Sequence, residues 1–156
     1  MKTLVVYYSR TGHTKMVAEH LAQSLEADVL ALQEQTNREG ILGFVKGGFD
    51  AIRHAPTLLT PCNKNLSDYD LVVIGSPVWA GTLSPAVRTF LRKAAPTIQR
   101  AAFFCTHGGG GASKSYADAE SLLGKPLAAT AALRDKAVKR GTVAPTIDTF
   151  VNQITK

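Results

Sequence analysis

The sequence predicts a three-layer α/β domain, a doubly wound five-stranded parallel sheet with helices on both faces. Three observations predict it. Short β-rich runs alternate with amphipathic stretches, the pattern of parallel strands joined by crossover helices. Two of those runs, Thr3 to Tyr8 and Asp70 to Gly75, are almost continuously apolar, as strands covered on both faces are. Loops of unusual composition near residues 9, 77 and 107 follow the first, third and fourth strands. In such a sheet they converge beyond the strands' carboxyl ends, where ligands bind.

The elements follow in order. Thr3 to Tyr8 is the first strand. Met16, Val17, Leu21 and Leu25 recur at helical spacing, which predicts a helix over Gly12 to Ser24. Asp28 to Leu32 reads as the second strand. From Gln33 to Tyr69 the signal weakens: Ile41, Leu42, Phe44, Val45, Phe49 and Ile52 favour a helix, while Gly43, Gly47 and Gly48 oppose it. Part of this long connection is expected to cover the sheet or the ligand site. Asp70 to Gly75 is the third strand, followed by a loop through Gly81. Pro85 opens a helix where proline is best tolerated. Ala101 to Cys105 is the fourth strand, Ser115 to Leu123 a helix, Leu127 to Leu133 the fifth strand and Pro145 to Ile154 a closing helix.

The 156 residues fit one domain, 1–156, with enough chain to bury a core unaided. No apolar run has the length of a membrane span, and the N-terminal apolar stretch is too short for a signal peptide, so the expectation is a cytoplasmic protein. Cys62 and Cys105 are too few for a disulfide framework and form no Cys-x-x-Cys pair. The net charge of +6 invites nucleic acid, but the 18 Lys and Arg residues are scattered. Only Arg134, Lys136, Lys139 and Arg140 cluster, with Asp135 among them, and a solvated basic face is the expectation. His20 and His54 join no metal-like cluster, so no metal is expected.

Ser9-Arg10-Thr11-Gly12-His13-Thr14 places three hydroxyls around a glycine at the mouth of the first helix. Helix N-terminal N–H groups and the helix dipole favour an anion, and the glycine lets the backbone approach it closely. An ordinary Ser or Thr cap needs one hydroxyl, not three, so a phosphate is the expected ligand. The loop ends without Gly-Lys-Ser/Thr and lacks Gly-x-Gly-x-x-Gly. A mononucleotide therefore fits better than a dinucleotide.

Ser76-Pro77-Val78-Trp79-Ala80-Gly81-Thr82 carries the only tryptophan. Its indole either stacks on a planar ligand ring or tucks into the core beside the loop. Thr106-His107-Gly108-Gly109-Gly110-Gly111 either offers bare backbone N–H groups to a carbonyl-rich ring or is a floppy connection. His107 is either a ring neighbour or a solvated loop residue.

Together these three loops resemble the flavodoxin family. Residues 9–14 match its phosphate pattern Thr/Ser-x-Thr-Gly-x-Thr. Residues 75–81 are similar to the loop flanking the isoalloxazine ring, and residues 106–111 to the second ring loop. The resemblance covers essentially the whole chain and is like the short-chain form. It implies strand order 2-1-3-4-5, one noncovalent FMN, and FMN contacts from Ser9, Arg10, Thr11, Gly12, His13, Thr14, Pro77, Val78, Trp79, Ala80, Gly81, Thr106, His107, Gly108, Gly109 and Gly110.

Three features depart from that family. Electron-carrying flavodoxins are strongly acidic, which lowers the potential of their flavin. This chain is basic, and Arg10, His13 and Lys15 lie in or beside the phosphate loop. Carriers often place a glycine directly after the ring-flanking residue, so that its peptide can turn toward the one-electron-reduced flavin. Here Ala80 follows Trp79, and alanine makes a positive φ costlier. The second ring loop also lacks the aromatic residue often found there.

FMN would do the chemistry, with no catalytic side chain required. The leading expectation is electron transfer through FMN to a redox partner protein. The alternative is an FMN-dependent NAD(P)H:quinone-type oxidoreductase, and a further one is a non-redox binding module on the same scaffold.

Overall fold

Alternation of side chains along the central strands gives the sheet two buried faces. On β1 (Thr3–Tyr7), Leu4 and Val6 enter one core while Val5 and Tyr7 enter the other. The same division recurs on β3 (Leu71–Trp79), with Val72 and Ile74 opposed to Leu71 and Val73, and on β5 (Ala101–His107), with Phe103 and Cys105 opposed to Ala102 and Phe104. These strands are apolar on both faces because both are covered.

The computed structural model describes residues 1–156. With β2 (Asp28–Ala31) and β6 (Thr130–Arg134), the parallel strands run in the order β2-β1-β3-β5-β6. A short β4 (Thr82–Leu83) pairs antiparallel with the end of β3. With that hairpin strand set aside, the order is the 2-1-3-4-5 implied by the sequence.

Helices α1 (His13–Leu25), α5 (Asp135–Arg140) and α6 (Ala144–Thr155) pack together on one face, whose core includes Val17, Leu21, Val138, Ile147 and Phe150. On the other face lie α3 (Pro85–Ala94) and α4 (Ala112–Leu123). Ser84 caps α3 by accepting a hydrogen bond from the Val87 N–H, and Pro85 opens it. α2 (Gly40–Ile52) contacts α3, β3 and β4.

Two expectations need correction. The third strand does not end at Gly75 but continues to Trp79, because Ser76 and Pro77 keep their pairing with β5 and Val78 and Trp79 pair with β4, into which the chain folds straight back. The fifth strand begins at Thr130 rather than Leu127, and a short helix the sequence reading did not separate, α5, follows it directly; Arg134, Lys136, Lys139 and Arg140 are exposed there, the expected solvated basic face.

Candidate functional site

The register of the sheet builds the site. β1 and β3 pair as far as Tyr7 and Gly75, β3 and β5 as far as Pro77 and Thr106, and β5 and β6 as far as His107 and Arg134. The segments leaving β1, β3, β5 and β6 therefore emerge along one edge.

The first segment is an open helix mouth. Gly12, at φ +99°, is the cap residue of α1, and no side chain caps the helix. Ser9 Oγ accepts from the Gly12 N–H at 3.0 Å, shaping the loop rather than capping the helix. The first turn holds no acidic residue. Its N–H groups have no acceptor within the helix, which makes them donors for an anion. Thr14 Oγ1 and Thr106 Oγ1 are hydrogen-bonded at 2.8 Å, and both residues are buried. This pair ties the first loop to the end of β5.

The second segment is a tight hairpin. Ala80 and Gly81 stand at φ +49° and +80° between β3 and β4. Two consecutive positive φ values mark the turn that matches strand twist. Thr82 is held from behind: its hydroxyl donates to Asp118, and Arg88 donates to both Thr82 and Asp118. Trp79 is not in the loop expected after the third strand but is the last residue of β3, and it is half-buried. Tyr8 meets it edge-on at 5.5 Å, Arg38 lies 5.4 Å from its ring, and Gly47 of α2 backs it. Packing does not enclose the ring entirely, which still borders two cavities.

The third segment is split. His107 ends β5, and its Nδ1 is buried without a partner. Gly108 faces the site, whereas Gly109 and Gly110 are exposed and line neither cavity. Gly111 is the cap residue before α4 and packs on Val78 and Gly81, so the second and third segments touch.

Two cavities meet at this edge. A polar one of about 290 Å³ is bordered by Thr11, His13, Thr14, Thr106, Gly108 and Asp135, among others. An apolar cleft of about 420 Å³ includes Val45, Gly48, Phe49, Ile52 and Ala80. Arg10, Phe44, Val78 and Trp79 border both. Ser9, Gly12, Gly81 and His107 shape the edge without lining either cavity.

Phe44 and Asp135 were missed from sequence. Asp135 follows a strand end directly, and a residue in that position belongs to the ligand edge, so the signal was present. Phe44 lies on a helix whose glycines obscured its facing. Asp135 approaches His13 Nδ1 at 3.6 Å, and the Arg10 guanidinium lies 5.4 Å from the Phe44 ring.

Behind Trp79 sits a buried charge cluster. Arg38 Nε donates to both Glu34 oxygens at 2.8 and 2.9 Å, and its Nη1 donates to Asp50 at 3.0 Å. Burial alone would raise the Asp50 carboxyl, but hydrogen bonds from Arg38 and Lys46 outweigh it and hold the group below its ordinary value. Burial, together with the nearby Glu34 carboxylate, raises the Tyr8 phenol. The cluster fixes α2 against the hairpin.

The family model for NADPH-dependent FMN reductases matches residues 1–139. The chain belongs to this family. FMN reductase membership agrees with FMN as the cofactor, and the polar cavity at an uncapped helix N-terminus beside an apolar cleft fits a phosphate joined to a flat ring. Solved structures share the fold. A Lactobacillus acidophilus flavoprotein in complex with FMN is 23% identical, with TM-score 0.74, covering 89% of this chain and 97% of its own. A Bacteroides eggerthii structure described as a flavoprotein is 20% identical, with TM-score 0.72, covering 93% and 97%. Two-electron reduced Megasphaera elsdenii flavodoxin is 16% identical, with TM-score 0.62, covering 97% and 96%. No helix in this FMN reductase family member is long and apolar enough to cross a membrane.

Proposed function

We propose that the chain holds one noncovalent FMN across the joined cavities and uses it to oxidise NAD(P)H and reduce a quinone-type acceptor in the cytoplasm. The observation that carries this reading is the junction itself. A polar cavity at a helix N-terminus opens through Arg10, Phe44, Val78 and Trp79 into an apolar cleft. FMN has the same two ends, a phosphate on a polyhydroxyl chain and a flat, mostly apolar ring.

The chain's residues bind and tune the cofactor. The His13 and Thr14 N–H groups and the Thr11 hydroxyl take the phosphate end. Val78, Trp79 and Ala80 border the ring end, and Gly108 closes the polar cavity opposite them. Arg10 places a fixed positive charge where the two cavities meet, which favours added negative charge on the ring. That supports a hydride acceptor over a low-potential carrier, and the family description supports NADPH as donor. FMN supplies the redox chemistry, and no side chain needs to act as acid, base or nucleophile.

A second reading, one-electron transfer to a redox partner protein, is favoured by Ala80. Its positive φ is already accommodated in the hairpin, so the alanine does not bar the turn that such carriers use.

The test is NADPH oxidation by the FMN-loaded protein with a soluble quinone and no other protein present. Rapid turnover supports the reductase. Slow turnover with fast electron exchange to a protein partner supports the carrier. A colourless protein that refuses FMN overturns both.

A further inference from the structure

β6 ends the sheet: it pairs with β5 alone, and no strand lies beyond it. Alternate residues of such a strand turn their N–H and C=O groups away from the sheet, a template for one more strand. Edges are ordinarily guarded by charge, proline, a bulge or a covering segment. The opposite edge follows that rule. β2 starts at Asp28, which accepts from the Tyr69 hydroxyl at 2.7 Å and lies 3.7 Å from Lys64 Nζ. β6 does not follow it: Thr130, Ala131, Ala132 and Leu133 carry no charge and include no proline.

Beside this edge runs a groove of about 380 Å³, bordered by Thr130, Ala131 and Ala132 on β6 and by α6 on the other side. The helix wall is formed by Pro145, Thr146, Thr149, Phe150 and Gln153, which share one face of α6. That wall is uncharged, and all of it but Phe150 is exposed. A groove between an edge strand and a helix suits an extended peptide. Its backbone pairs with the strand, and its alternate side chains enter the groove.

Charge sets the direction and the chemistry of the occupant. Arg134 ends β6, and Lys136, Lys139 and Arg140 stand on α5 directly beyond it. None of the four is in an ion pair. The one acid among them, Asp135, faces His13. A chain added parallel to β6 ends beside these cations, and one added antiparallel begins there. A terminal carboxylate and acidic side chains favour the first arrangement, while an α-ammonium opposes the second. A second copy of β6 carries no carboxylate to meet the cations. A nucleic-acid strand needs cations along its length, and here they stand at one end.

We infer that β6 and α6 form a docking groove for the acidic C-terminal tail of a partner protein, added as a strand parallel to β6 with its carboxylates beside Arg134 and α5. The inference rests on the sheet edge and not on the flavin reading.

The probe is a fluorescein-labelled peptide of alternating threonine and valine that ends in aspartate, glutamate and a free carboxylate. It should bind the full chain at low salt with a Kd on the order of 100 μM or tighter. Amide hydrogen exchange within Thr130–Arg134 should slow on binding, the direct sign of an added strand. Two variants at exposed positions separate charge from shape. Lys136→Glu with Arg140→Glu should weaken binding roughly tenfold, through two lost surface ion pairs and the repulsion that replaces them. Thr149→Trp fills the groove and should abolish binding with circular dichroism unchanged. The same peptide with proline at every other position cannot join a ladder and should not bind. No binding of the probe at a Kd below about 1 mM overturns the inference. So does binding by the proline peptide, which would reduce the effect to charge attraction, or full binding by either variant. Exchange in β6 that slows with protein concentration alone would also overturn it, by giving the edge to a second copy.

Discussion

Gly47 and Trp79 are in direct contact: a Cβ on residue 47 would lie 2.9 Å from Trp79 Cζ3. Tyr8 meets the indole edge-on and Arg38 lies 5.4 Å from its ring, so the ring can give way only by shifting into the cavities it borders. Gly47→Ala would gain helix propensity worth about 1 kcal/mol but overpack the ring at a cost of about 1–3 kcal/mol. The expected net is a loss of roughly 1 kcal/mol, read as a lower urea midpoint at unchanged m-value. Gly48→Ala, one position along and unobstructed, should stabilise instead. FMN affinity should fall for Gly47→Ala, since Trp79 borders both cavities.

Ala80 makes the opposite prediction. It holds a positive φ that disfavours L-residues, in a hairpin whose next residue is already glycine. Ala80→Gly relieves that strain and adds chain entropy to the unfolded state. The first effect is the larger, and the variant should gain about 0.5–1 kcal/mol. Thermal unfolding of the flavin-free protein reads it directly. In the FMN-loaded protein, Ala80→Gly should raise the fraction of one-electron-reduced flavin that accumulates on photoreduction.

The same two residues show what the sequence could carry. The strands were legible because both their faces are apolar, and the loop opening α1 stood out because its hydroxyls exceed what a cap needs. The hairpin was hidden because Trp79-Ala80-Gly81-Thr82 lacks the Asn-Gly or Asp-Gly signal of such turns. α2 was doubtful because its glycines oppose helix formation locally. They serve instead as the face that lets the helix approach Trp79 and Arg38, a tertiary reason invisible in a propensity scale. Asp135 was missed because a basic cluster drew attention to charge and away from its position after a strand end.

Acid should unfold the protein through identifiable carboxylates. Asp50 lies below its ordinary value because Arg38 and Lys46 outweigh burial, and Asp118 does so because Thr82 and Arg88 outweigh it. A carboxyl depressed in the folded state contributes stability that is complete above its unfolded value, about 3.9. That contribution is lost as pH falls through the folded value. Stability should therefore be level from neutral pH down to about 5 for these two groups and then drop. Asp118→Asn should be less stable at pH 7 with a shallower drop in acid, measured by urea titration at each pH. A drop as steep as that of the parent would show that Asp118 plays no part in it.

The Thr14–Thr106 pair separates binding from folding at the phosphate end. Both hydroxyls are buried and satisfy each other at 2.8 Å, so removing one strands its partner. Thr14→Val should cost about 1–3 kcal/mol of stability, because Thr106 Oγ1 is left without a mate. It should also weaken FMN binding by loosening the helix mouth against β5. Thr11 is different: it is exposed, it lines the polar cavity, and its hydroxyl meets only His13 Nδ1 at 3.3 Å. Thr11→Ala should leave the flavin-free protein's unfolding midpoint unchanged. Losing one hydrogen bond to a charged phosphate is worth about 1.5–3 kcal/mol, or roughly ten- to a hundredfold in the Kd for FMN. Riboflavin, which lacks the phosphate, should bind parent and Thr11→Ala alike. Fluorescence titration with both ligands makes the comparison, and an equal loss for riboflavin would move Thr11 away from the phosphate.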